Sequence, residues 1–122
     1  MYFHTNFNNL AEQNSYFRKE VFTGSNAQIV LMSLNQNEDI GEETHSDVDQ
    51  ILFFIEGRGM AVIDGSEITI NEEDVLYIQR GAKHNVINTG SEKMKIISIY
   101  APAEHPRGTV HSTKTDALKA KQ

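Results

Sequence analysis

Short runs of β-forming residues, separated by turn signals, follow one another along most of the chain. The runs are rich in Val, Ile, Phe and Tyr, which suit a pleated, half-buried surface. No helical pattern of about 10–15 residues lies between them, which is typical of an antiparallel sandwich or barrel. The predicted strands are roughly Tyr16–Thr23, Gln28–Leu34, Gln50–Glu56, Gly59–Ile63, Ser66–Ile70, Val75–Ile78, Asn85–Asn88 and Lys93–Tyr100.

Local signals also indicate turns and chain ends. Asp64-Gly65 predicts a two-residue hairpin, because a type I′ turn needs positive φ at both central positions. Residues 1–20 are polar and Asn-rich, and we expect an N-terminal arm there. Only Thr115–Gln122 has helical composition, with Thr113 or Thr115 as the cap of a short C-terminal helix. A chain of 122 residues suits one core, so we predict a single all-β domain over residues 1–122.

Composition limits the partners of the chain. The net charge of −6 argues against nucleic acid, whose binding draws on a cationic surface. Cysteine is absent, which fits a reducing compartment. The N-terminus lacks a secretory pattern, and the longest strongly apolar run, Ile51–Ile55, is far shorter than the roughly 20 residues that span a bilayer. We therefore expect a cytoplasmic protein without a membrane partner.

Two of the five histidines stand where they could act together. In a strand, residues i and i+2 face the same side, so Glu43 and His45 are expected to share one space. Gln50 begins the next strand and adds a third donor. His84 follows a turn at Gly81 and leads into another strand. These side chains are the candidate site.

Two segments of the chain resemble the two motifs of the cupin superfamily. The first, about residues 41–57, reads Glu43-x-His45, four residues, Gln50, six residues, Gly57. Here Glu43 replaces the first His of the family motif, and Gln50 replaces its Glu.

The second motif, about residues 73–88, reads Gln79-x-Gly81-x-x-His84-x-x-x-Asn88 after Glu73 and five further residues. Here Glu73 and Gln79 replace the Gly and Pro of the family pattern. The stretch 100–111 also resembles a subgroup of small single-domain cupins described as similar to mannose-6-phosphate isomerase.

The resemblance implies a cupin double-stranded β-helix, that is, a jelly-roll barrel. It also implies one divalent transition metal held by Glu43, His45, Gln50 and His84. Such mixed nitrogen and oxygen donors suit Mn, Fe, Ni, Co or Zn. A competing register places Asp47 instead of Glu43 as the remaining ligand.

The roles of other polar residues follow from their distance to these motifs. Asp49 is expected near the metal as a hydrogen-bond acceptor and is the predicted catalytic base, with Glu43 as the alternative. Tyr100 is expected at the mouth of the barrel. The tail that covers the barrel or contacts a second subunit contains His105 and His111.

The cupin resemblance leaves several functions open, because a fold does not name a reaction. The first expectation is a metal-dependent enzyme, of isomerase or dioxygenase type, acting on a sugar derivative or carboxylic acid. The second is a non-catalytic protein that binds or senses a small ligand. The third is a barrel that has lost its metal and serves in assembly. The resemblance also implies a homodimer, formed through residues 1–34.

Overall fold

The structure is a computed structural model that describes residues 1–120. Most of these residues form antiparallel strands, with one short helix near each end of the chain. In chain order the elements are α1 (Phe7–Gln13), β1 (Arg18–Thr23), β2 (Gln28–Leu34), β3 (Glu43–Thr44), β4 (Asp49–Glu56), β5 (Gly59–Ile63), β6 (Ser66–Ile70), β7 (Val75–Ile78), β8 (Lys83–Ile87), β9 (Met94–Ala101), β10 (Val110–His111) and α2 (Lys114–Ala120).

Two sheets pack face to face around the main core. One has six strands in the order β10-β1-β2-β9-β4-β7, and the other has four in the order β3-β8-β5-β6. Along β4, Leu52 and Phe54 are buried while Phe53 between them is exposed, because successive side chains point to opposite faces. The predicted double-stranded β-helix is confirmed. The core between the sheets includes Val30, Met32, Leu34, Leu52, Phe54, Ala61, Val86, Met94 and Ile96.

The sequence-predicted strands all form, with shifts of one or two residues at some ends. The hairpin between β5 and β6 also forms as expected. Asp64 and Gly65 have φ of 48° and 85°, and Ile63 pairs with Ser66 across the turn. The Asp-Gly pair therefore fixes this register locally.

The helix α1 was not expected from the sequence. The side chain of Asn6 caps it by accepting a hydrogen bond from the backbone N–H of Asn9 at 3.0 Å. A helix of seven residues is too short to be stable alone, so packing has to supply its stability. Ala11 provides that packing through its contact with Leu31 and Ile97 on the outer face of the six-stranded sheet.

The helix α2 agrees with the predicted C-terminal helix. Of the two candidate caps, Thr113 is used: its hydroxyl accepts a hydrogen bond from the backbone N–H of Asp116 at 3.1 Å. Residues 121 and 122 of the predicted helical tail lie outside the described residues. Neither helix in residues 1–120 has the length and apolar composition to cross a bilayer.

Candidate metal centre

Both sheets contribute side chains to one end of the barrel interior. In the six-stranded sheet, Gln50 of β4 lies opposite Tyr100 of β9. In the four-stranded sheet, Glu43 of β3 lies opposite His84 of β8. His45 follows β3 directly. The structure therefore brings Glu43, His45 and His84 together. Gln50 is hydrogen-bonded to Tyr100, whose ring centre lies 6.1 Å from that of His45.

The turn at Gly81 joins the two sequence motifs. Its backbone N–H donates a hydrogen bond to the carbonyl of His45 at 2.7 Å. Gly81 has a φ of +90°, a conformation that other residues rarely adopt. Because this turn immediately precedes β8, it fixes His84 relative to His45.

The imidazoles of His45 and His84 converge. Their ring centres are 5.2 Å apart with a tilt of 48°. Two imidazoles that bind one metal ion at about 2.1 Å place their ring centres roughly 4.5–5.2 Å apart. His84 is buried, and its Nδ1 lies 3.0 Å from the carbonyl of Ala82, which can only accept a hydrogen bond. The proton of His84 is therefore on Nδ1, and the lone pair on Nε2 is free to bind a metal.

His45 lies between two carboxylates. Its Nδ1 is 3.0 Å from Oε2 of Glu104, and its Nε2 is 3.2 Å from Oε2 of Glu43. A carboxylate only accepts, so when Nδ1–H donates to Glu104 a proton or a metal ion is needed between Nε2 and Glu43. Two donors on one metal ion at right angles lie about 3 Å apart. The observed spacing fits a shared cation.

The amide of Gln50 supplies an acceptor that is not satisfied within the described chain. Gln50 is 2% exposed, and its Nε2 donates to Oγ of Ser98 at 3.0 Å and to the hydroxyl of Tyr100 at 3.2 Å. Its Oε1 is buried with no hydrogen-bond partner. A buried polar atom left unpaired costs about 1–3 kcal/mol. A cation bound at this oxygen would remove that cost.

The candidate centre depends on Gln50 as well as on ionisable side chains. Within residues 1–120, no three or more His, Cys, Asp or Glu side chains cluster in a way that could hold a metal ion. Imidazole, carboxylate and amide donors together form the mixed set that suits divalent transition metals. In the type of donor that they offer, Glu43, His45, Gln50 and His84 therefore fit such an ion.

The alternative ligand Asp47 is not part of this group. Asp47 is exposed, and among the described residues it has no hydrogen bond or ion pair. The contact with His45 is made by Glu43 instead. Of the two registers that the sequence left open, the geometry favours Glu43.

Asp49, the predicted catalytic base, is not brought to the group either. It precedes Gln50 in β4, so its side chain lies on the outer face of the sheet. Its carboxylate accepts from the hydroxyl of Tyr77 at 2.5 Å and from the backbone N–H and Nε of Arg80 at 2.9 and 3.0 Å. The Tyr77 hydrogen bond, followed by those from Arg80, lowers the pKa of Asp49 to about 2. A carboxylate with so low a pKa is a weak base, and its hydrogen bonds to Tyr77 and Arg80 hold it away from the candidate centre.

The sequence did not single out Glu104, whose place depends on Gln28. The buried amide of Gln28 donates to the carbonyl of His105 at 2.6 Å. Its Oε1 accepts from the backbone N–H groups of Glu104 and His105 at 3.1 and 3.0 Å. These bonds hold the segment so that Glu104 reaches His45. No short-range motif signals the contact, because Gln28 and Glu104 are far apart in sequence.

Tyr100 lies deeper than the predicted mouth position. It is almost fully buried, and its ring contacts His45 and His105 edge-on, with ring centres 6.1 and 5.1 Å apart. Burial raises the pKa of its hydroxyl, so Tyr100 stays neutral. It lines the interior and accepts a hydrogen bond from Nε2 of Gln50. Of the two histidines placed by the sequence in one covering tail, His105 packs against Tyr100, whereas His111 lies in β10 opposite Arg18 of β1.

A cavity opens beside His45. Its volume is about 360 Å³, which suits a small molecule. Polar groups of His45 and Glu104 reach it, so a ligand in the cavity would meet the candidate centre directly. The lining residues are Thr44, His45, Ser46, Asp47, Val48, Pro102, Ala103 and Glu104.

Comparison with known proteins gives a consistent result. The family model for the cupin domain matches residues 30–100. The chain is 44% identical to YrkC of Bacillus subtilis, covering 97% of the chain and 67% of YrkC. It is 34% identical to L612 of Acanthamoeba polyphaga mimivirus, covering 80% of the chain and 64% of L612. The chain thus spans about two thirds of these curated relatives.

Among solved structures, BH2720 of Bacillus halodurans superposes with a TM-score of 0.94 at 38% identity, covering 96% of this chain and 93% of that chain. This similarity extends over both sheets. The predicted resemblance to the mannose-6-phosphate isomerase-like subgroup stays a prediction.

Proposed function

Because the chain belongs to the cupin-domain family, we propose that it binds one divalent transition metal and acts as a metal-dependent enzyme on a small oxygen-rich molecule. The observation that carries the proposal is the buried, unpartnered Oε1 of Gln50. It lies in the same barrel end as the converging imidazoles of His45 and His84. A cation bound at this oxygen would remove the cost of leaving the acceptor unpaired.

In this proposal Glu43, His45, Gln50 and His84 hold the metal, which is Mn, Fe, Ni, Co or Zn. Bound there, the metal would supply Lewis acidity towards a carbonyl or carboxylate oxygen. The expected substrate is a sugar derivative or carboxylic acid, and the reaction is of isomerase or dioxygenase type. The cavity beside His45 gives such a molecule a route to the centre.

The chain's own carboxylates would handle protons. Glu104 borders the cavity and holds Nδ1 of His45, so it orients the ring and can exchange a proton with a ligand in the cavity. Glu43 is the second candidate base. We assign no such role to Asp49, because its carboxylate faces the other side of β4 and is bound by Tyr77 and Arg80.

A second candidate function is non-catalytic binding or sensing of a small ligand in the same pocket. The neutral amide of Gln50 favours it, because an amide brings less negative charge to a metal than a carboxylate. A barrel without metal that serves in assembly is the third candidate. Turnover of a substrate would eliminate both.

The test is elemental analysis of the native protein, with anomalous diffraction at the metal edge. We expect about one metal ion per chain, and its loss in His45→Ala and His84→Ala but not in His4→Ala, which changes an exposed histidine. Equal, near-zero metal in all four proteins would refute metal binding. Bound metal without conversion of sugar phosphates, keto acids or diketones would favour the binding protein.

We further propose that the protein is a homodimer formed through the outer face of the six-stranded sheet. That face carries an apolar cluster built around Leu31 and Ile97, and Phe53 beside it is 37% exposed. An apolar groove of about 370 Å³ runs between this face and the N-terminal arm. Residues 1–34 supply α1, β1 and β2 of this region. A second copy of the chain would cover this surface.

The cytoplasmic location expected from the sequence stays a prediction.

A further inference from the structure

Two buried side-chain atoms in residues 1–120 have no hydrogen-bond partner. One is the acceptor Oε1 of Gln50. The other is a hydrogen-bond donor, Nε of Arg18, at the start of β1. Arg18 is 3% exposed, so its guanidinium is a charge held inside the protein. Arginine is almost never fully buried unless it is paired.

The neighbours of Arg18 do not balance its charge. Nη1 lies 3.3 Å from Nδ1 of His111, and Cζ lies 5.3 Å from the ring centre of Phe17. Burial, and then the guanidinium itself, lower the pKa of His111, so this histidine is neutral near pH 7. No carboxylate of the described chain forms an ion pair with Arg18. Burying a charge without a counter-ion is strongly unfavourable.

Arg18 faces the same interior as the candidate metal centre, because it lies opposite the core residue Met32 across β1 and β2, and directly opposed residues point to the same face of a sheet. Burial, and then the charge of Arg18, lower the pKa of His105 to about 4, and the ring of His105 packs against Tyr100. The charge of Arg18 also reaches the hydroxyl of Tyr100, which accepts a hydrogen bond from Gln50. Tyr100 is thus hydrogen-bonded to the amide of Gln50 and lies within the electrostatic range of Arg18.

The charged side chains around Tyr100 predict the net charge of a ligand that binds beside them. Besides Arg18, the carboxylates of Glu43 and Glu104 act on Tyr100. If the charges of Glu43 and Glu104 offset that of a bound divalent cation, the guanidinium still has no ion-pair partner among residues 1–120. One uncompensated positive charge in a poorly solvated interior favours a ligand with one negative charge. A guanidinium pairs with a carboxylate through parallel N–H···O bonds.

We propose that a ligand reaches from the cavity beside His45 into the barrel interior, where Arg18 binds its anionic end, and that the ligand carries a single carboxylate group. This inference rests on the proposed function, because it places the ligand beside the proposed metal. It narrows the substrate class from oxygen-rich molecules in general to monocarboxylic acids. Arg18 is then a binding residue that the two sequence motifs do not contain.

The experiment compares acetate with acetamide, which has nearly the same shape but no charge. Each is titrated into ¹⁵N-labelled, metal-analysed protein at constant ionic strength set with sodium chloride. The readout is the Nε–H resonance of Arg18, assigned by its absence from Arg18→Lys. We expect acetate, but not acetamide, to shift this resonance in a saturable manner. In Arg18→Gln, followed through the backbone amide resonances of β1 and β10, the affinity for acetate should fall at least about tenfold. Arg80→Gln, at an exposed arginine, should bind acetate as the wild type does.

Equal shifts with acetamide or with added chloride would overturn the inference, as would unchanged acetate affinity in Arg18→Gln. The wild-type titration decides the matter even if Arg18→Gln does not fold. Metal content separates the two proposals. Bound metal with no Arg18-dependent acetate binding refutes this inference alone, whereas Arg18-dependent acetate binding in a protein without metal refutes the metal-dependent function alone.

Discussion

Glu104 holds the imidazole of His45 through a contact of 3.0 Å between Oε2 and Nδ1. The two residues lie far apart in sequence and meet because Gln28 fixes the backbone of Glu104. A carboxylate behind a metal-binding histidine fixes the tautomer and raises the basicity of the ring. In the proposed metal centre, this contact would orient Nε2 of His45 towards the cation.

Replacing Glu104 tests this relationship. We expect Glu104→Ala to weaken metal affinity about 10- to 100-fold, because the ring of His45 loses its orientation. Competition against a chelator of known affinity measures the effect. Glu42→Gln is the matched control, since Glu42 is exposed and its only contact in the described chain is a 3.6 Å pair with Lys83. Similar losses in both variants would show that general charge, rather than the contact, sets the affinity.

Gln50→Glu is expected to have opposite effects with and without metal. Without metal it buries a carboxylate near Glu43 and Glu104 and loses the N–H donor to Tyr100, so the melting temperature should fall. With metal the added carboxylate is a stronger ligand, so metal should raise the melting temperature more than in the wild type. Thermal unfolding with and without chelator measures both effects. Gln79→Glu, at an exposed glutamine, should show neither, and the same sign in both conditions would contradict a metal at Gln50.

Asp49 should stabilise the fold in a pH-dependent manner. Its folded-state pKa of about 2 is below the ordinary value of 3.8, mainly because of the Tyr77 hydrogen bond. Its contribution is therefore present above about pH 4 and is lost as the pH falls towards 2. We expect Asp49→Asn to melt below the wild type at pH 7, with a difference that shrinks on acidification. Asp47→Asn should show no such trend, and unchanged metal content in Asp49→Asn would agree with its place outside the centre.

The outer face of the sheet makes a prediction about assembly. Phe53→Lys should convert the dimer to a monomer, because it places a charge in the proposed apolar interface. Ile68→Lys is the matched control, since Ile68 is similarly exposed at 39% but lies in β6 of the other sheet. Sedimentation velocity measures both. A monomeric wild type, or a dimer that survives Phe53→Lys, would contradict this interface.

Much of the fold follows from local signals in the sequence. Alternation of apolar residues identifies the strands, and Asp64-Gly65 identifies a hairpin, because both depend on residues that are close in the chain. The helix α1 was not predicted, because it is stabilised by the packing of Ala11 on Leu31 and Ile97 and not by its own composition. The two-residue strands β3 and β10 were not predicted either, because each is defined by its pairing with a distant strand, β8 and β1 respectively.

The ligand set was also accessible to sequence reasoning, because motif spacing places Glu43, His45 and Gln50 around one strand pair. The choice between Glu43 and Asp47 was not accessible. It depends on where His45 lies after β3, and the 3.2 Å contact between Nε2 of His45 and Oε2 of Glu43 favours Glu43. The closeness of Asp49 to Gln50 in sequence did not place its side chain in the centre. Successive residues of a strand point to opposite faces, so Asp49 lies on the outer face while Gln50 points inward.

By itself, the sequence determined the all-β class, most strands and the residues whose donors suit a metal, since these depend on composition and short spacing. Only the tertiary structure decided that Glu104 reaches His45 and that, among residues 1–120, Oε1 of Gln50 has no hydrogen-bond partner and the buried Arg18 has no ion-pair partner. The physical reason is that hydrogen-bond satisfaction and burial depend on strand register and sheet packing, which bring distant residues together.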